Sequence, residues 1–138
     1  MVKNDLIAGK RFDEVTRLTR RAVQHMLGFE VRHVGINCEN EARAREAARF
    51  FSNLLNVEVR EGGSSLFAGL QVELLKAPYL GTHGHIAIAT NFIERAIAYL
   101  GRSGSAFRED TRKVNDGKTA SIYFEKEIAG FALHLLQV

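Results

Sequence analysis

The stretch HVGINCENEARAREAARFF, running from His33 to Phe51, returns in altered form as HIAIATNFIERAIAYL, running from His85 to Leu100. The first copy opens with the alternation of a strand: His33, Gly35 and Asn37 share one face, and Val34, Ile36 and Cys38 share the other. Each copy then passes through a capping residue, Asn40 or Asn91, into a helical stripe. That stripe is Ala47, Ala48, Phe51, Leu54 and Leu55 in the first copy, and Ile93, Ala96, Ile97 and Leu100 in the second. Glu94 follows Asn91 at capping-box spacing. Gly101 is the expected stop of the second helix.

Outward from these copies, each half continues into three short strand candidates. In the first half they are Val57 to Arg60, Ser64 to Ala68 and Leu70 to Lys76, with turns at Gly62-Gly63 and Gly69. In the second they are Ala106 to Glu109, Ala120 to Glu125 and Phe131 to Gln137, with a strong turn signal at Asn115-Asp116-Gly117. Pro78 to Gly84 links the halves. The pattern is βαβββ written twice, and it predicts an α+β fold in which two paired modules form a curved mixed sheet. Two copies are too few to stack as a solenoid, so pairing of their sheets is the expected solution. Before the repeat, Val15, Leu18, Ala22 and Met26 recur at helical spacing, and Gly28 is the expected stop. The expected division is an N-terminal helical extension over 1–29 and a domain over 30–138, with modules 30–77 and 83–138.

The 138 residues are enough for one core, and 46% hydrophobic with 25% charged residues is an ordinary globular balance. No apolar run approaches the roughly 20 residues of a membrane span, and the start lacks the apolar stretch of a signal peptide. Cys38 is the only cysteine, which excludes an intrachain disulfide and points to a cytoplasmic setting. Residues 1–29 hold six Lys/Arg against three Asp/Glu, while the rest of the chain holds thirteen of each. The net charge of +3 therefore belongs to the first helix, at Arg17, Arg20 and Arg21 among others. No stripe of basic and aromatic residues follows, so neither a nucleic acid nor a membrane is expected as partner.

His33 and His85 open equivalent strands, and Glu73 and His134 lie near the middle of equivalent closing strands. A pseudo-twofold axis between the halves brings these four side chains to one point. Three imidazoles and a carboxylate suit a borderline divalent metal ion: Zn, Ni, Mn, Co or Fe. One such residue alone reads as hydrogen-bonded structure; four at matched places read as a ligand set. His83 shares a strand face with His85 but lies in the linker without a counterpart, and reads as a solvent-facing loop residue. Cys38 points away from His33 and reads as core.

The stretches VRHVGINCENEAR (Val31 to Arg43), SSLFAGLQVELLKAPYLG (Ser64 to Gly81), GHIAIATNFIERAIAYL (Gly84 to Leu100) and GFALHLLQV (Gly130 to Val138) resemble the glyoxalase-like domain of the vicinal oxygen chelate superfamily. They are most similar to the version attached to the C-terminus of some bacterial 2-dehydro-3-deoxyphosphogluconate aldolases. DLIAGKRFDEVTRLTRRAV, from Asp5 to Val23, is similar to the last helix of such an aldolase barrel. The resemblance implies metal ligation by His33, Glu73, His85 and His134, a homodimer, and association with an aldolase. His134 departs from the glutamate that glyoxalase I carries there, which argues against that particular activity. The aldolase's Schiff-base lysine belongs to barrel strands this chain lacks, so Lys3 and Lys10 are not read as nucleophiles.

Three functions remain open at this point. The first is metal-assisted lyase or isomerase chemistry on a small 2-oxo or hydroxycarbonyl compound, with Glu73 as catalytic base and Lys76, Tyr79 and Tyr123 as candidate substrate contacts. The second is a non-catalytic metal-binding or dimerisation module. The third takes His33, His85 and Glu73 as the two-histidine, one-carboxylate triad of an iron dioxygenase, which His134 would crowd.

Overall fold

Gly28 takes a left-handed φ of 62° and closes helix α2, Phe12–Leu27, as its place after the apolar stripe predicts. The computed structural model describes residues 4–138. A short helix α1, Asn4–Ala8, precedes α2, and Lys10 at φ 54° makes the break between them. The first module follows as β1 (Glu30–Asn37), α3 (Glu41–Leu55), β2 (Val59–Glu61), β3 (Ser65–Ala68) and β4 (Val72–Leu75). The second repeats the order as β5 (Gly84–Thr90), α4 (Ile93–Arg102), β6 (Phe107–Asn115), β7 (Lys118–Phe124) and β8 (Phe131–Gln137).

All eight strands join one curved sheet in the order β2-β3-β4-β1-β5-β8-β7-β6. Each module supplies one half. The halves meet where β1 runs antiparallel to β5, and within each half the first strand pairs in parallel with the last. The expected fold of two paired βαβββ modules is therefore the observed one. Among the described residues no helix is long and apolar enough to cross a membrane.

The helices cover one face of the sheet. Ala44 and Ala48, one turn apart on α3, are fully buried against Leu66, Ala68 and Leu74, with Cys38 in the same cluster. Their small side chains let the helix sit close on the strands. Leu27, Ile93, Ala96, Ile122 and Leu135 form the matching core of the second module, so α2 and α4 share its cover. Apolar burial on this face leaves the opposite face of β4, β1, β5 and β8 to carry polar groups.

Two local expectations need correction. Asn91 does not cap α4. Its side chain donates to the Met26 carbonyl, the helix begins after Phe92, and Gln137 Oε1 accepts from the Ile93 N–H instead. Glu94 reaches Thr119 and Arg112 rather than folding back on the helix end. The helix also runs through Gly101 to Arg102. The Asn115-Asp116-Gly117 turn is as expected, with φ 49° at Asp116 and 74° at Gly117, the two positive values of a tight hairpin.

Candidate metal centre

The four central strands each contribute one side chain: Glu73 from β4, His33 from β1, His85 from β5 and His134 from β8. Register arranges them as a checkerboard. Gly35 stands opposite Glu73 on one side and opposite His85 on the other. Ala87 stands between His33 and His134 in the same way. Gly35 and Ala87 are themselves matched positions of the repeat, each two residues after a histidine. Small residues thus separate the large ones, and the large ones lean together over them. At Gly35 this is obligatory, since a Cβ there would come within 2.1 Å of the His85 ring.

Three donor atoms meet closely. His33 Nε2 is 3.1 Å from His85 Nε2, and Glu73 Oε2 lies 3.2 Å from the first and 3.0 Å from the second. His134 completes the group, since each of the three histidines offers a ring nitrogen within 4.8 Å of the others. All three histidines are buried.

Protein partners alone leave this cluster unsatisfied. His134 Nδ1 lies 3.3 Å from the Leu135 carbonyl, which fixes the proton there and leaves the Nε2 lone pair free. That Nε2 is buried and has no hydrogen-bond partner. An unpartnered buried acceptor costs about 1–3 kcal/mol, and a cation removes that cost. His85 Nδ1 is likewise buried and unpaired, so this ring lacks the outer partner that usually orients a ligating histidine. Donors about 2.1 Å from one ion stand about 3.0 Å apart at right angles and about 3.4 Å apart in a tetrahedron. The observed 3.0–3.2 Å lies at the right-angled end. His33, His85 and Glu73 therefore fit a divalent ion, and the three histidines together could hold one.

The electrostatics agree with a site that keeps its ligands in binding form. Burial pushes the Glu73 carboxyl up, but hydrogen bonds from His33, His85 and Ser65 outweigh it and hold the group well below the usual carboxylate range. Burial, reinforced by the nearby His85 and His33, pushes His134 down to about 3. Glu73 is thus an anion and His134 a neutral imidazole at pH 7, the states that ligate metals.

The depressed His134 has a measurable consequence in the ion-free protein. The unfolded chain takes up a proton near 6.5, and the folded chain only near 3. Stability from this group is full above about pH 6.5 and drains as pH falls towards 3. In chelator, urea unfolding should show a loss on the order of 2 kcal/mol between pH 7 and pH 5. His134→Leu should flatten that slope; an equally steep slope in the variant would assign it elsewhere.

Beside the four side chains opens a cavity of about 750 Å³. Tyr123 stacks on His134 with ring centroids 4.7 Å apart, and Tyr79 meets Tyr123 edge-on. Burial pushes the Tyr123 phenol above its ordinary range, so it stays protonated. Lys76, Tyr79 and Tyr123 all line the cavity. His83 is exposed and packs on Phe131, as its place in the linker suggested, and Cys38 lies on the helix side, as read from register. Lys10 is exposed, and Lys3 lies outside the described residues. Lys113, Asn115 and Ser121 also line the cavity, and sequence reasoning missed them.

No family model matches the chain, and no curated protein matches it. Among solved structures, a hypothetical protein from Bacillus halodurans C-125 is similar, with a TM-score of 0.56 and 17% identity over 80% of this chain and 94% of that one. Methylmalonyl-CoA epimerase is similar with a TM-score of 0.53 and 16% identity, covering 78% of this chain and 93% of that one. At such identities the likeness establishes architecture. The chain has a glyoxalase-like fold.

Proposed function

We propose that this chain is a metal-dependent lyase or isomerase acting on a small 2-oxo or hydroxycarbonyl compound. The observation that carries the reading is the buried, unpartnered Nε2 of His134 beside three donors only 3.0–3.2 Å apart, at the mouth of a cavity. His33, Glu73, His85 and His134 would hold the ion. When bound, a divalent ion polarises adjacent oxygens of a substrate and stabilises the negative charge that develops there. Tyr123 and Tyr79 shape the wall against which the substrate lies. Glu73 is the proton acceptor in this reading: a carboxylate held anionic and lining the cavity, whose two oxygens allow one to stay with the histidines while the other turns to the substrate.

The test is metal analysis followed by a panel of 2-oxo acids, hydroxycarbonyl compounds and a thiohemiacetal. Glu73→Gln, which also weakens one of the four donors and is therefore assayed at saturating metal, should lower kcat by about 10²–10⁴. Retained turnover in that variant would remove Glu73 from the proton transfer. No turnover by the metal-loaded wild type on any compound would favour a module without catalysis.

One observation supports that second reading. Ile7 and Phe12 of the helical extension are more than half exposed, and Met26 is 38% exposed. An unburied apolar face on an appended helix pair suits docking, to a second copy of the chain or to the aldolase barrel whose last helix the segment resembles. Sedimentation of the protein alone, and a pull-down with such a barrel, test the two partners.

A further inference from the structure

The cavity wall has an uneven charge. Among the described residues Glu73 is the only carboxylate lining it, and Lys76 and Lys113 are its cations. Lys76 is already engaged: its Nζ lies 2.9 Å from Glu61 and 3.6 Å from Glu41, and Arg45 binds the same two carboxylates. On β6 the neighbouring cations are engaged too. Arg112 pairs with Glu109 and Glu94, and Arg108 with Asp110. Lys113 makes no ion pair or hydrogen bond among the described residues, yet it faces the cavity across from Ser121.

Once Glu73 is committed to a divalent ion, nothing lining the cavity offsets Lys113. Lys113 is itself exposed, and a cavity wall with one sign of charge favours ligands of the other sign. Lys113 stands two strands from β8 and is in register with Leu136, two residues from His134; with strands about 4.8 Å apart and a rise of about 3.3 Å per residue, the Cα atoms of Lys113 and His134 are about 12 Å apart. We propose that Lys113 is a specificity residue: it receives a terminal oxyanion, carboxylate or phosphate, on a substrate whose opposite end presents two adjacent oxygens to the His33–Glu73–His85–His134 cluster. Asn115 and Ser121 flank it as neutral hydrogen-bonding groups. This rests on the metal-centre reading and narrows its substrate class to 2-oxo compounds that carry a second anionic group.

The test is calorimetric binding to the manganese-loaded protein, without turnover. Pyruvate offers the oxygen pair alone; 2-oxoglutarate adds a carboxylate tail and phosphonopyruvate a phosphonate. At least one tailed ligand should bind about tenfold tighter than pyruvate, and which one does so names the group. Lys113→Gln should remove that gain, and Lys113→Glu should reverse it, with pyruvate affinity and metal content unchanged in both. Equal affinities for tailed and untailed ligands, or a gain that survives Lys113→Gln, would overturn the proposal and leave Lys113 as a solvated edge-strand charge. Absence of manganese or pyruvate binding would overturn the metal-centre reading itself.

Discussion

His33→Ala should lower divalent-metal affinity by at least about 100-fold while leaving the fold intact. His33 is one corner of the triangle it forms with His85 Nε2 and Glu73 Oε2. It sits on the open face of the sheet, whereas the cores lie on the helix face, so its removal empties the site without opening a core. Removing only an outer partner of a ligand typically costs 10–100-fold in metal affinity, and removing the ligand costs more. The effect also reads out as stability. An ion at 1,000 times its Kd stabilises the wild type by about 4.1 kcal/mol, and a 100-fold loss of affinity cuts that to about 1.4 kcal/mol. Thermal unfolding with and without zinc measures the difference. A variant that keeps the full zinc-dependent shift in Tm would show that the ion sits elsewhere.

Gly35→Ala should have a comparable effect, although Gly35 carries no ligand. Its backbone is ordinary strand, so alanine meets no conformational penalty there. The obstacle is contact: the added Cβ would meet His85 Cε1 at 2.1 Å and Nε2 at 2.4 Å. The ring must swing away, and with it goes a donor that now lies 3.0 Å from Glu73. Metal affinity should fall at least about tenfold, with a stability cost of about 1–3 kcal/mol from the crowding. Gly63→Ala is the control, because a Cβ there meets nothing within 4 Å. Equal metal affinities for the two variants would mean that the ring's place over Gly35 does not matter for binding.

These two residues also show what was legible in the sequence. The parity of His33, Gly35 and Asn37 against Val34, Ile36 and Cys38 was enough to place the cluster and the core on opposite faces. The repeat then placed Glu73 and His134, since equivalent closing strands need equivalent registers. The small residue between the ligands became meaningful only once Gly35 was seen opposite both Glu73 and His85. Asn91 misled because its amide serves the Met26 carbonyl, a contact between segments 65 residues apart that no local pattern carries. β6 was expected to end at Glu109 and runs to Asn115. It is an edge strand rich in charge, and such strands lose the apolar alternation that reveals strands in a sequence. Lys113 was hidden for the same reason, and it meets the histidines only as part of a shared cavity lining.

One divalent ion held among His33, Glu73, His85 and His134 is what the proposed chemistry requires. Crystals grown with zinc, with diffraction recorded on either side of the metal's absorption edge, test it most directly. One strong anomalous peak per chain is expected, about 2.0–2.2 Å from a donor atom of each of the four side chains. A peak bound elsewhere, or density at that point without an anomalous signal, would contradict it.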